Sequence, residues 1–220
     1  MSFYMAWTAF RSNDSRAAIR AVRKHFTDHG VRLRTLTPDP WGANWDKDVF
    51  AYERPPWLIF QWPEYSDGYD LPLATSVSRS LGCLASTNAI HCDDLWRHAL
   101  IENGVVLDEF ANRPTYFQDS KRSARARALL KRYRGNPDRV ARAFGVKPAL
   151  VKRYFVHLRM DRLSPFAFRD DACRIGDPWA FRELWRRVGI VIPKDGKHCI
   201  LQFRPDEDYR DKIPSNAPAF

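Results

Sequence analysis

The sequence predicts an α+β protein: an N-terminal two-layer α/β unit, then a basic helical segment, then a short C-terminal helix–strand unit. Over residues 1–117, short runs rich in aromatic and β-branched residues alternate with amphipathic stretches, which is typical of mixed α/β structure. Residues 118–163 show a helical and strongly basic pattern, and residues 164–220 contain one more helix and strand before a charged tail that we expect to be loose. Because 45% of the 220 residues are hydrophobic, the chain can bury a substantial core.

Local patterns predict each element of the first segment. Residues 3–10 are rich in aromatics and predict a strand, after which Asn13, Asp14 and Ser15 offer helix-capping side chains. An apolar stripe at helical spacing then predicts a helix that ends at Gly30. Further strands are predicted at 31–36, 48–52 and 57–62, with Pro55-Pro56 separating the last two.

A second series of elements follows the same order as the first. A helix is predicted from Pro72 to Leu81, followed by strands at 83–90, 95–101 and 105–110. The order strand–helix–strand–strand thus occurs twice, which suggests an internal duplication, although the residues themselves show no repeat. The last two strands flank Asn103-Gly104, the strongest short-range signal for a β-hairpin with a two-residue turn.

The positive charge of the chain is concentrated in residues 121–162. This segment has fourteen basic and two acidic residues, a net charge of +12, whereas the remaining residues have 22 basic and 24 acidic groups, a net charge of −2. A charge gathered in one segment favours a polyanionic partner over a general effect on solubility.

Three helices are predicted within the basic segment. The first spans Arg122 to Arg134 with Asp119 or Ser120 as its cap, the second spans 137–144 before Gly145, and the third begins at Pro148 and ends near Met160. In the last segment, Asp177-Pro178 begins a helix that Gly189 closes, and a strand is predicted at 198–203.

Residues 137–158 resemble a helix-turn-helix at the level of the motif. Val140, Phe144, Val151 and Tyr154 stand where two helices bury apolar side chains against each other, and Gly145 stands at the turn. Ala141 is small where the helix backbones come close. The resemblance covers about twenty residues, and no family that spans the whole chain is identified. The same spacing also fits two ordinary helices that pack on the α/β unit and expose a basic face.

The resemblance implies that the early part of the second helix enters the major groove of DNA. Lys147, Lys152 and Arg153 are then the candidates for contacts with bases or phosphates. Other arginines would bind phosphates without reading sequence. The predicted nucleic-acid-binding residues are Arg122, Arg125, Arg127, Arg132, Arg139, Arg142, Lys147, Lys152 and Arg153.

No catalytic or metal-ligating residue is assigned. A two-residue hairpin turn places His98 opposite Glu109 with His91 nearby, which suggests a polar pair or an acid–base or metal site, but the spacing matches no established metal motif. Asp170-Asp171, the acidic run 206–208 and His198-Cys199 likewise fit no known catalytic pattern. Gly-rich phosphate loops and hydrolase signatures are absent from the sequence, and no cofactor is expected.

Cysteine usage and hydropathy point to the cytoplasm. Cys83, Cys92, Cys173 and Cys199 are widely spaced without a C-x-x-C pair, which favours free thiols in a reducing compartment. No window approaches the roughly 18 to 20 apolar residues of a membrane helix, so no membrane partner is expected.

Tryptophans divide into core and surface candidates. Trp57, Trp62 and Trp185 lie in apolar strand or helix patterns, as does Trp179, and we expect them in the core. Trp41 and Trp45 lie in a loop and are the candidates for partner contact.

Taken together, these patterns predict a non-enzymatic, nucleic-acid-associated protein that binds DNA or RNA through its basic helical segment. The alternative is a protein-interaction module, such as an adaptor or a toxin-neutralising partner, whose basic helices dock an acidic protein.

Overall fold

One antiparallel sheet organises the protein. The computed structural model describes residues 4–38, 42–63, 71–92, 94–118, 123–158, 164–193, 199–207 and 209–212. Within these residues eight strands pair in the order β2-β8-β3-β4-β1-β5-β6-β7. The strands are β1 (Tyr4–Arg11), β2 (Leu33–Leu36), β3 (Val49–Arg54), β4 (Trp57–Trp62), β5 (Leu84–His91), β6 (Leu95–Glu102), β7 (Val105–Ala111) and β8 (Cys199–Pro205).

Six α-helices accompany the sheet in the described part of the chain, so the predicted α+β class is confirmed. They are α1 (Ser15–Asp28), α2 (Leu71–Leu81), α3 (Ala124–Arg132), α4 (Pro137–Phe144), α5 (Ala149–Lys152) and α6 (Ala180–Arg187), and a 3-10 turn follows at Tyr209–Lys212. Among these helices none is long and apolar enough to cross a bilayer.

When β2, which lies between α1 and β3 in the chain, is left aside, the central strands and first two helices follow the order β1-α1-β3 and then β4-α2-β5. Because β4 and β5 both pair with β1, this unit has the β-α-β-β-α-β order of the ferredoxin-like motif. In chain order, β1-α1-β2-β3 and then β4-α2-β5-β6 give the predicted strand–helix–strand–strand order twice. β2 does not join β3 but pairs with β8 at the edge of the sheet.

Helices cover both faces of the sheet, because the central strands are apolar on both sides. On β1, Ala6 and Phe10 face the core formed with α1 and α2. Trp7 and Ala9 face the opposite core, which includes α4, α5 and α6. The basic helical segment is therefore packed against the α/β unit. β8, from the C-terminal segment, lies between β2 and β3 in the same sheet.

Helix ends follow the capping chemistry of the sequence in most places. Asp14 caps α1 by accepting from the Ala17 N–H, and Asn136 caps α4 by accepting from the Arg139 N–H. Ser123 caps α3, accepting from the Ala126 N–H, whereas the predicted caps Asp119 and Ser120 lie outside the described residues.

The prediction of a long third basic helix is wrong. α5 ends at Lys152, and residues 155–158 have no regular secondary structure. The four residues after Arg153 are all weak helix formers: Tyr154, Phe155, Val156 and His157. Phe155 packs against Phe110 of β7 at 4.5 Å between ring centroids, and the Leu158 N–H donates to the Asn112 carbonyl. These contacts draw the chain back onto the sheet after one helical turn.

Candidate nucleic-acid interface

The basic segment wraps around the edge of the sheet at β7. Leu129 and Tyr133, from α3 and its C-terminal end, pack with Leu95 and Ala111, on the side of the sheet that carries α1 and α2. The chain then follows β7, where the Ala111 N–H donates to the Tyr133 carbonyl, and α4 packs on the opposite face. An edge strand exposes unpaired backbone groups, and this segment covers part of them.

Ten basic side chains are exposed on residues 123–158. We name them the basic band: Arg125, Arg127, Lys131, Arg132, Arg134, Arg139, Arg142, Lys147, Lys152 and Arg153. The same stretch contains one acidic residue, Asp138. Exposed positive charge of this density produces a local positive potential that attracts polyanions.

Three of the predicted contact residues also hold the fold together. Arg132 makes a bidentate ion pair with Glu109, with both N–O distances 3.0 Å. Arg139 Nη1 donates to the Leu107 carbonyl at 2.5 Å. Arg153 Nη1 donates to the Ala167 carbonyl at 2.9 Å, and its guanidinium lies over the Phe168 ring. These arginines therefore have a structural role beside any role in binding.

Six other members of the band have exposed side chains without such contacts. Among the described residues no ion pair or side-chain hydrogen bond is formed by Arg125, Lys131, Arg134, Arg142, Lys147 or Lys152. Arg127 is also exposed, whereas Arg122 lies outside the described residues. These six cations are the members most available to a ligand.

The interior of the helix-turn-helix-like segment follows the predicted pattern, but its second helix does not. Val140, Phe144, Val151 and Tyr154 are buried, and Gly145 has φ +72°, which favours glycine. A helix of four residues is about 6 Å long and cannot lie along a major groove as a recognition helix does. The arrangement offers charge at the surface rather than a groove-reading helix.

A buried ion-pair cluster fixes this segment to α6, and sequence reasoning missed it. Asp171, whose side chain is fully buried, accepts from the Tyr154 hydroxyl at 2.8 Å and pairs with Arg186 and Arg187. The same two arginines hold the exposed Asp170, and their hydrogen bonds lower the pKa of Asp170 to about 2. The sequence signal consists of two pairs of neighbouring residues with opposite charge, Asp170-Asp171 and Arg186-Arg187, and only the fold brings these pairs together.

The suggested site at His91, His98 and Glu109 is not formed. A β-bulge places Leu107 as an extra residue in β7, so His98 faces Phe110 and Glu109 faces Ala99. His98 and Glu109 therefore point to opposite faces of the sheet, and the prediction that they face each other is wrong. His98 is buried beside Ser86, and burial lowers its pKa to about 3.

Other candidate residues add no catalytic geometry. No group of three potential metal ligands occurs among the described residues. His198, Trp41 and the Cys199 side chain lie outside them. Trp45 is 51% exposed and packs against the Phe50 ring in a tilted arrangement, whereas Trp57, Trp62 and Trp185 are buried as predicted.

A cavity of about 430 Å³ lies beside α6 and does not favour an anion. Its lining contains Arg182 and Arg186 but also the carboxylates of Asp170 and Glu183, so charges of both signs face it. The basic band therefore remains the surface with the clearest preference for one class of ligand. No family model, curated protein or solved structure matches this chain, so its function has to be argued from the arrangement of its own residues.

Proposed function

We propose that this protein binds nucleic acid through the phosphate backbone, using the basic band. The observation that carries the proposal is the exposure of ten basic side chains around the β7 edge, with Asp138 as the acidic residue among them. Lys and Arg that neutralise phosphates release counterions from the nucleic acid, and this release supplies most of sequence-independent affinity.

Contact with phosphates fits this surface better than base reading. Lys152 and Arg153 lie at the end of a one-turn helix, and Arg153 already donates to the Ala167 carbonyl. Arg142 and Lys147 stand on and just after α4, and Lys152 ends α5, so all three are exposed within eleven residues of the chain. Binding of this kind is expected to depend strongly on salt and weakly on sequence.

The test is a mobility-shift titration with duplex DNA, single-stranded DNA and RNA at several salt concentrations. The variant replaces Arg142, Lys147 and Lys152 by Gln. The control replaces Arg16, Arg20 and Arg34, exposed cations outside the band, by Gln and so removes the same charge. For duplex DNA, loss of three phosphate contacts lowers the slope of log affinity against log salt by roughly 3, at about 0.9 per contact.

The outcomes separate this function from its rival. A large loss of affinity in the band variant, with the control close to wild type, supports the proposal. No shift with any of the three nucleic acids at 50 mM salt, a concentration at which phosphate contacts are strong, refutes it. Equal losses in both variants refute the assignment to the band. Copurification of an acidic protein at a fixed ratio, without nucleic-acid binding, favours the protein-interaction alternative.

A further inference from the structure

A narrow cleft lies between α3 and the β6–β7 end of the sheet, next to the basic band. Its volume is about 20 Å³, enough for one water-sized group. Leu95, Ala111 and Leu129 form apolar walls, and the polar lining comes from Arg97, Arg113, Tyr133 and Gln118. Phe117, which is 43% exposed, also lines the cleft.

Two buried donors of the cleft have no hydrogen-bond partner. The hydroxyl of Tyr133 has no hydrogen-bond partner, although the residue is only 3% exposed. Arg113 Nε is also buried without a partner, while Nη1 of the same guanidinium pairs with Asp94 at 2.5 Å. Buried polar groups are nearly always satisfied, so such donors indicate a group that completes them.

The hydrogen-bond donors of the cleft suit an oxyanion. Arg97 and Arg113 line it, and the lining residues include no carboxylate, because Asp94, which pairs with Arg113, is not among them. A phenol and guanidinium groups donate well to an oxyanion, and arginine is well suited to phosphate.

We propose that the cleft receives an oxygen of the terminal phosphate of a nucleic-acid strand, an inference that rests on the proposed function. The space admits one oxygen, so the remaining atoms of the phosphate stay at the mouth, as the end of a strand allows. The Phe117 ring contacts His91 and Tyr116 edge-on, and its exposed part lies on the side from which the terminal base would approach. The protein would then distinguish a phosphorylated strand end from a hydroxyl end.

The test compares single-stranded oligonucleotides of one sequence that carry a 5′-phosphate, a 3′-phosphate or hydroxyl ends, by fluorescence anisotropy. We expect one phosphorylated end to bind about tenfold more tightly, the size of one hydrogen bond to a charged group. Tyr133→Phe removes only the unpartnered hydroxyl, and we expect it to abolish the preference without changing affinity for the hydroxyl ends. Tyr116→Phe, whose hydroxyl bonds to Asp94 outside the cleft, is the control and keeps the preference.

Equal affinity for all three ends, or a preference that survives Tyr133→Phe, overturns the proposal. If no oligonucleotide binds, a titration with inorganic phosphate against chloride at equal ionic strength, followed by thermal melting, decides instead. Stabilisation of the wild type but not of Tyr133→Phe then supports the phosphate site while the proposed nucleic-acid function fails. No stabilisation of the wild type in that case overturns both.

Discussion

Asp108 offers the sharpest test of the contact between β7 and the basic segment. Its Oδ1 accepts from the Asn136 N–H at 2.7 Å, at the start of α4, while Oδ2 is buried without a partner. Burial raises the pKa of Asp108 from 3.8 to about 6, against the opposing effects of the Asn136 N–H and Arg139. Asp108→Asn keeps an acceptor for the Asn136 N–H and removes the buried charge.

The sign and size of the effect follow from the pKa of Asp108. An acid whose pKa is higher in the folded protein binds more protons there than in the unfolded chain, so the free energy of unfolding falls as pH rises from about 4 to 6. The change from 3.8 to about 6 corresponds to about 3 kcal/mol, at roughly 1.4 kcal/mol per pKa unit. We therefore expect the stability of Asp108→Asn relative to wild type to increase by about 2–3 kcal/mol between pH 4 and pH 8.

Urea denaturation of both proteins at intervals from pH 4 to pH 8 measures this difference. Groups that titrate in both proteins cancel when one curve is subtracted from the other. Asp138→Asn is the control, because it removes an exposed carboxylate from α4, the helix whose N-cap residue Asp108 contacts, and we expect no gain in stability above pH 7. A difference between Asp108→Asn and wild type that is constant with pH, or that decreases toward pH 8, would contradict the reasoning.

Three further predictions concern stability and are measured by urea or thermal denaturation. Gly135→Ala should destabilise the protein by roughly 2 kcal/mol or more, because φ is +69° and the new Cβ would lie 2.4 Å from a carbon of Phe155. Gly145→Ala is the comparison: φ is +72° but no atom lies within 4 Å of the new Cβ, so the cost should be only about 1 kcal/mol. Asp171→Ala should cost about 3–5 kcal/mol, because it leaves buried partners unpaired, and a loss below about 1 kcal/mol would argue against the ion-pair cluster. Burial and then His29 lower the pKa of His25 from 6.5 to about 4, so the stability that neutral His25 contributes is complete above pH 6.5 and is lost as pH falls toward 4. His25→Gln should reduce this acid-induced loss in the free energy of unfolding by up to about 3 kcal/mol. An unchanged decrease in stability between pH 6.5 and pH 4 would contradict the prediction.

The order of strands and helices could be predicted from the sequence because it depends on local chemistry. Alternating and helical hydrophobic periods are properties of neighbouring residues, as are the caps at Asp14 and Asn136 and the turn at Gly145. The concentration of basic charge in residues 121–162 is likewise a property of composition alone. The sequence by itself therefore determined the fold class, most element positions and the segment that carries the candidate interface.

Contacts between distant residues decided the rest. The extra Leu107 in β7 shifts the partner of His98 from the expected Glu109 to Phe110. Phe155 packs on Phe110 where the third basic helix was expected to continue. Neither the insertion of β8 between β2 and β3 nor the meeting of Asp171 with Arg187 has a signature in sequence spacing. Spacing reports which face a residue occupies on its own element, whereas partners across elements depend on how the elements pack, and only the tertiary structure fixes that.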